Sequence, residues 1–117
     1  MSTTLVALLE RLPLGLHTRH EAEMQSALER ELTKNSIAFE REVKLSPTDR
    51  IDFIVGSVGI EMKTKGSFVS VVRQLQRYAS SSRIEELVLF TTKPKLTQMP
   101  ESIGGKPIRV AFYRGAF

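Results

Sequence analysis

The sequence predicts an α/β domain in which helices flank a mixed β-sheet, with elements in the order (α)αβββαβ…β. Two segments, over residues 19–34 and 68–80, carry apolar residues at helical spacing. Other segments alternate apolar and charged residues or form short apolar runs, as strands do. A chain of 117 residues is long enough for one such domain and too short for two.

Two helices are expected before the first strand. Residues 3–12 are apolar and are closed by Pro13, which predicts a short helix packing on the body of the domain or on a second subunit. A Thr18-x-x-Glu21 capping box is expected to start the helix over 19–34. Its apolar stripe comprises Met24, Ala27, Leu28 and Leu32.

The third helix, over residues 68–80, has Ser67 as its expected N-cap, with Val72, Leu75 and Ala79 on one face. A hairpin turn is expected over 56–59. The fourth strand contains a Leu-Val-Leu-Phe run that indicates burial on both faces. Five strands are expected in all, over residues 37–45, 50–55, 60–64, 86–92 and 107–113.

These elements organise the chain as one domain over residues 1–117. A helical extension covers residues 1–17, a core that carries the motifs covers 18–92, and a loop with a final strand covers 93–117. No apolar run is long enough for a membrane span, and the start lacks the features of a signal peptide. A cytoplasmic setting without membrane contact is therefore expected.

Charge and cysteine content narrow the classes of function. The chain has no cysteine, which excludes a disulfide scaffold, a thiolate metal site and a cysteine nucleophile. Residues 1–62 carry 7 Lys and Arg against 10 Asp and Glu, whereas residues 63–117 carry 10 against 3, so the halves have net charges of −3 and +7. A basic half beside an acidic half predicts a polyanionic partner and a site that uses carboxylates, although a solvated basic surface has the same composition.

Three residues on adjacent predicted strands could carry chemistry. Glu61 and Lys63 share one face because strand side chains alternate with a period of two, which places them roughly 7 Å apart at the backbone. The short turn makes the neighbouring strands antiparallel, so Asp52 can lie across from them. Ile51, Phe53 and Val55 are expected on the opposite face from Asp52. Two carboxylates with a lysine suit a hard cation such as Mg²⁺, with the Met62 carbonyl as a further oxygen ligand.

The sequence here resembles the PD-(D/E)xK nuclease signature. Ile51-Asp52 is followed after eight residues by Glu61-Met62-Lys63, although Ile51 stands where the signature has Pro. The next helix contains Gln74-Leu75-Gln76-Arg77-Tyr78, which matches the Gln-x-x-x-Tyr motif of the RecB-like and viral-type replication-repair branches. The resemblance covers about residues 18–92 and implies a restriction-endonuclease-like core that hydrolyses DNA with Mg²⁺ or Mn²⁺.

The resemblance also implies a role for each matching residue. Asp52 and Glu61 would bind the metal, and Lys63 would serve catalysis. Glu21 would be an accessory ligand, although the capping box alone accounts for a glutamate there. Gln25, Gln74 and Tyr78 would support the site, with an ordinary helix flank and a core tyrosine as the alternative for the last two.

Nucleic-acid binding is expected to be independent of base sequence, because only phosphate contacts are indicated. A second Glu-x-Lys, Glu42-Val43-Lys44, has the spacing of the motif without its context. No phosphate-binding loop is present, so no nucleotide cofactor is expected. A homodimer with two sites is expected, for which residues 3–12 and the last strand are candidate interfaces. The candidate phosphate contacts are Lys65, Arg73, Arg77, Arg83, Lys93 and Lys95.

Two readings from other classes stay open at this point. A catalytically inactive nucleic-acid-binding module could keep the same fold. A structural subunit of a larger complex would expose the apolar helix over 3–12.

Overall fold

The computed structural model describes residues 2–14 and 20–113. It confirms the α/β class, with helices on both faces of a mixed six-stranded sheet. The helices are α1 (Ser2–Glu10), α2 (Glu21–Lys34) and α3 (Phe68–Ala79). The strands are β1 (Glu40–Lys44), β2 (Arg50–Val55), β3 (Val58–Lys63), β4 (Glu86–Thr91), β5 (Ser102–Ile103) and β6 (Lys106–Phe112). A 3₁₀ turn at Pro94–Thr97 and the short β5 were not predicted.

The sheet has the strand order β1-β2-β3-β4-β6-β5. Strands β1, β2 and β3 form an antiparallel meander, and β3, β4 and β6 run parallel to one another. Helix α3 makes the crossover between the parallel strands β3 and β4. The carboxyl ends of the three parallel strands therefore lie at one edge of the sheet, which is where α/β proteins commonly bind ligands.

The β2–β3 turn is tighter than expected. Val55 pairs with Val58, so the turn consists of Gly56 and Ser57 alone. Gly59, expected in the turn, lies inside β3. A Cβ atom there would sit 2.6 Å from Cδ1 of Ile51 and 2.8 Å from Cδ1 of Ile84. Gly59 is therefore required by close packing and not by a turn. The expected start of β3 at residue 60 was too late for this reason.

Two apolar layers enclose the sheet. Helices α1 and α2 cover one face with Leu5, Leu9, Met24, Leu28 and Leu32, all buried. Helix α3 covers the other face with Val71, Leu75, Tyr78 and Ala79. In β4, Leu87 and Leu89 face α3 while Val88 and Phe90 face the opposite layer, which confirms burial on both faces.

The ends and faces of the long helices need two corrections. Helix α2 begins at Glu21, and its N-cap residue is His20, which makes no side-chain capping bond. The capping box is therefore wrong: Glu21 is the first helical residue, and Thr18 lies outside the described residues. In α3 the buried valine is Val71, whereas Val72 is half-buried. The expected N-cap of α3 is confirmed, because the Ser67 hydroxyl accepts a hydrogen bond from the Ser70 amide.

The leucine side chains of α1 and of the residues just after it are buried in the core of the domain. Leu5, Leu9 and Leu12 are at most 3% exposed and pack with the core beneath the sheet. A structural subunit was expected to expose an apolar helix over residues 3–12. The leucines Leu5, Leu9 and Leu12 are instead buried in the domain. The last strand, β6, lies between β4 and the two-residue β5, which pairs only with Lys106 and Pro107 of β6. The homodimer stays a prediction, and so does the last strand as its candidate interface.

Within the described ranges, no helix has the length and apolar character needed to cross a membrane.

Candidate active site at the β2–β3 junction

The candidate site lies where the β2–β3 ladder stops. The two strands pair from Val55 opposite Val58 to Phe53 opposite Ile60. The next pair would be Asp52 opposite Glu61, but there the carboxylates of these two residues accept the main-chain hydrogen bonds in place of the carbonyls. The Asp52 amide donates to Oε1 of Glu61 at 3.2 Å, and the Met62 amide donates to Oδ2 of Asp52 at 2.8 Å. Both carboxylates are thereby fixed by main-chain donors of the partner strand.

The alternation of β2 changes phase at the same place. Phe53 and Val55 pack together in the layer formed by α1 and α2, as expected for residues that share one face of the strand. Ile51, however, packs with Ile54 in the α3 layer, so the expectation that Ile51 shares a face with Phe53 is wrong. Both ladders of β2 are irregular at this level: the β3 pairs end at Phe53 opposite Ile60, and Glu42 on β1 has a left-handed φ of 51°. A strictly periodic reading of the sequence misses this change of phase.

Lys63 lies beside the acidic pair, as the period of two predicts. Its Nζ is 3.4 Å from Oε2 of Glu61. The Glu61 side chain is 5% exposed and that of Lys63 is 22% exposed. The lysine therefore closes the acidic pair on the solvent side and still reaches water.

Helix α2 brings a third carboxylate to the junction. Oε2 of Glu21 accepts hydrogen bonds from the Thr64 amide at 3.1 Å and from the Thr64 hydroxyl at 3.2 Å. The charge of Glu21 also raises the pKa of Asp52, which shows that the two carboxylates are electrostatic neighbours. Residues 61–64 of one strand end thus contact all three acidic side chains.

The acidic pair holds its protons more tightly than ordinary carboxyls. Burial, and secondly the charge of Asp52, raises the pKa of Glu61 to about 8. Burial, and secondly the charge of Glu21, raises the pKa of Asp52. Without a compensating cation, burial therefore favours the protonated form of Glu61.

The donor set suits a hard divalent cation. Asp52 and Glu61 offer carboxylate oxygens, the ligands that Mg²⁺ and Mn²⁺ prefer. The N–H and C=O of a strand residue project toward the same edge, so the Met62 carbonyl faces the β2 side, as its amide does. Within residues 2–14 and 20–113, no three acidic or imidazole side chains form a ready-made cage. The fit therefore rests on two carboxylates and a main-chain oxygen, with Glu21 alongside.

Gln74 and Tyr78 lie together behind the acidic pair. The Gln74 amide donates to the Tyr78 hydroxyl at 2.8 Å, and that hydroxyl donates to the Arg50 carbonyl at 2.8 Å. Burial raises the pKa of Tyr78, and the charges of Glu61 and Asp52 raise it further. The phenol thus stays neutral and ties α3 to the start of β2, close to the carboxylates.

Gln25 lies on α2 but contacts Arg41 of β1. Oε1 of Gln25 accepts from Nη2 of Arg41 at 2.6 Å, and Oε1 of Glu29 accepts from Nη1 at 3.2 Å. The guanidinium lies 5.2 Å from the centre of the Phe53 ring. Sequence reasoning missed Arg41. The sequence feature that could have revealed it is the alternation of the strand, which predicts Arg41 on the same inward face as Phe39 and Val43.

The predicted phosphate contacts divide into two groups. Arg77 donates to Asp49 at 2.9 Å, and Arg83 is paired with Glu40, so these two arginines are engaged in ion pairs. Lys65, Arg73 and Lys95 are exposed, and Lys93 is half-buried. Lys63 pairs in register with Thr91, so Lys65 and Lys93, each two residues further on, follow the carboxyl ends of neighbouring strands. These two lysines flank the edge at which the acidic site opens.

Comparison with known proteins gives no match to a family model, to a curated protein or to a solved structure.

Proposed function

We propose that this protein is a metal-dependent DNA endonuclease with a restriction-endonuclease-like core of the PD-(D/E)xK type. The observation that carries the proposal is the β2–β3 junction. There the Glu61 carboxylate accepts from the Asp52 amide, the Asp52 carboxylate accepts from the Met62 amide, and Nζ of Lys63 lies 3.4 Å from Oε2 of Glu61. The buried carboxylate of Glu61 and the half-buried carboxylate of Asp52 cost folding free energy when no opposite charge compensates them. Binding of a divalent cation relieves that cost directly.

Each residue has a proposed role in the reaction. Asp52, Glu61 and the Met62 carbonyl hold Mg²⁺ or Mn²⁺, with Glu21 as the accessory ligand. When bound, the cation acidifies water and screens the charge of the phosphodiester. Lys63 orients the attacking water or stabilises the negative charge that develops on the phosphate. Tyr78 and Gln74 keep the acidic pair in place from behind.

The basic residues provide the proposed DNA contacts. Lys65 and Lys93 follow the strand ends that flank the site, and exposed Lys95 and Arg73 extend the basic surface. Such contacts bind phosphates without reading base sequence, and their strength falls as salt rises. Arg77 is a weaker candidate than expected, because binding DNA would require it to leave Asp49. Two copies of so small a domain would suit branched DNA or cuts on both strands.

A cleavage assay on supercoiled plasmid and on a synthetic four-way junction tests the proposal. Wild-type protein is expected to cut at least one of them with Mg²⁺ or Mn²⁺ and neither in EDTA. Lys63→Ala and Glu61→Gln are expected to lose about a hundredfold or more in rate, because positioned proton transfer and charge stabilisation contribute that much.

The chain supplies its own matched control in the second Glu-x-Lys. Glu42 and Lys44 are exposed on β1, so Glu42→Gln and Lys44→Ala are expected to keep the wild-type rate. DNA binding that survives EDTA, with no product under any metal, would instead favour the inactive binding module. Full activity of Lys63→Ala would remove the catalytic role of that lysine.

A further inference from the structure

The residue that follows Lys63 is connected to the third carboxylate. Thr64 donates two hydrogen bonds to a single oxygen of Glu21, one from its amide at 3.1 Å and one from its hydroxyl at 3.2 Å. The contact joins residues 43 positions apart in the sequence, at the end of β3 and the start of α2. This contact holds the side chain of Glu21, the first residue of α2.

The two donors leave a definite pattern on the carboxylate. Both use Oε2 of Glu21, and neither uses Oε1. Asp52 and Glu61 show the same arrangement, since each accepts a main-chain amide on one oxygen. Glu21 differs because its second donor is a side-chain hydroxyl, so substitution can change this one anchor without touching the backbone.

The position of Glu21 matters electrostatically. It lies close enough to Asp52 for its charge to be felt there, yet it belongs to a helix with no side-chain cap at its first turn. A glutamate side chain has three rotatable bonds, and ordering it costs conformational entropy. The Thr64 hydroxyl offsets that cost and holds the carboxylate beside the acidic pair.

We propose that Thr64 is a positioning residue for the cation site: its hydroxyl fixes the Glu21 side chain, which would serve as the accessory ligand. The inference rests on the proposed function, because it assigns a role toward the cation of that same site. Groups that orient ligands in this way typically contribute tenfold or more to metal affinity. Thr64 then completes a run of four residues, 61–64, that organises all three carboxylates.

Titration calorimetry with Mn²⁺ alone, on the full chain without DNA, tests this role. Thr64→Val keeps the shape and the amide but removes the hydroxyl, and it is expected to weaken Mn²⁺ binding about tenfold. Thr64→Ser retains the hydroxyl and is expected to restore the wild-type affinity. In a Glu21→Gln background, Thr64→Val is expected to add little, because the two changes act through one ligand.

The outcomes separate this inference from the nuclease proposal. Wild-type protein that binds Mn²⁺ and cleaves DNA, with unchanged affinity in Thr64→Val, overturns the positioning role alone. Equal weakening by Thr64→Ser and Thr64→Val also overturns it, since the hydroxyl would then not be the cause. A lowered melting temperature of Thr64→Val with unaltered Mn²⁺ affinity shows a purely structural contact. Wild-type protein that neither binds Mn²⁺ nor cleaves overturns both proposals together.

Discussion

Glu61 shows most clearly how a single residue links stability to the proposed chemistry. Its ordinary pKa is 4.5, and burial with the neighbouring Asp52 charge raises it to about 8 in the folded protein. Between these values the folded state keeps a proton that the unfolded state has lost. Stability therefore falls as pH rises through this window, because the native state binds more protons there. Burying the ionised Glu61 carboxylate costs free energy of folding, and the proposed cation would offset that cost.

The corresponding prediction concerns urea unfolding in EDTA between pH 5 and pH 8.5. Wild-type protein is expected to lose unfolding free energy as pH rises, and Glu61→Gln is expected to lose much less, since the amide carries no proton to release. Glu42→Gln on exposed β1 serves as the matched control and is expected to follow wild type. Identical pH slopes for wild type and Glu61→Gln would contradict the raised pKa of this carboxyl.

At the scale of elements, Arg41 connects α2 to the meander. It donates to Gln25 and Glu29 on the helix and lies over the Phe53 ring, one residue from Asp52. Phe53 also packs on Phe39, with 5.9 Å between ring centres. The helix that carries Glu21 is thus attached to the strand that carries Asp52. Among the described residues, the Nε atom of Arg41 is buried without a hydrogen-bond partner.

Arg41→Ala is expected to destabilise the protein by about 1–2 kcal/mol, the sum of partly solvated charged hydrogen bonds and a cation–π contact. Arg83→Ala removes an exposed ion pair with Glu40, the residue before Arg41, and is expected to lower the unfolding free energy much less. Chemical denaturation at one pH compares the two variants. Equal losses would mean that the contacts of Arg41 with α2 and Phe53 add nothing beyond a surface pair.

How far the sequence predicts the structure differs between elements and site. Strong apolar patterns predicted the helices found at Glu21–Lys34 and Phe68–Ala79 and the doubly buried strand at Glu86–Thr91, because period and burial agree there. The 3₁₀ turn and the two-residue β5 carry no such pattern. Gly59 resembled a turn residue, but it is required by side-chain packing against Ile51. Close packing between distant residues is invisible to a local reading of the sequence.

The site was predictable where motif spacing fixes geometry and unpredictable where tertiary contacts decide. Asp52, Glu61 and Lys63 meet as the hairpin requires. Gln25 instead contacts Arg41, and Arg77 contacts Asp49, because each partner arrives from a distant element. The role of Thr64 depends on the packing of α2 against β3, which no spacing within either element encodes.

For the molecule as a whole, the acidic first half and the basic second half of the chain both contribute residues to one edge of the sheet, at the carboxyl ends of β3 and β4. Glu21, Asp52 and Glu61 come from the acidic half, whereas Lys63, Lys65 and Lys93 come from the basic half. The parallel strands β3 and β4 end side by side, which brings the basic residues to the edge where the acids meet. This arrangement would bring a polyanion close to the proposed cation site.

Crystals soaked in Mn²⁺, with anomalous diffraction recorded at the manganese edge, test the central claim most directly. The expected result is one strong peak between the carboxylates of Asp52 and Glu61, within about 2.0–2.4 Å of their oxygens, on the side of the Met62 carbonyl. Crystals of Glu61→Gln are expected to lose the peak. A wild-type map with no peak at the β2–β3 junction, while both carboxylates keep their positions, would contradict the claim.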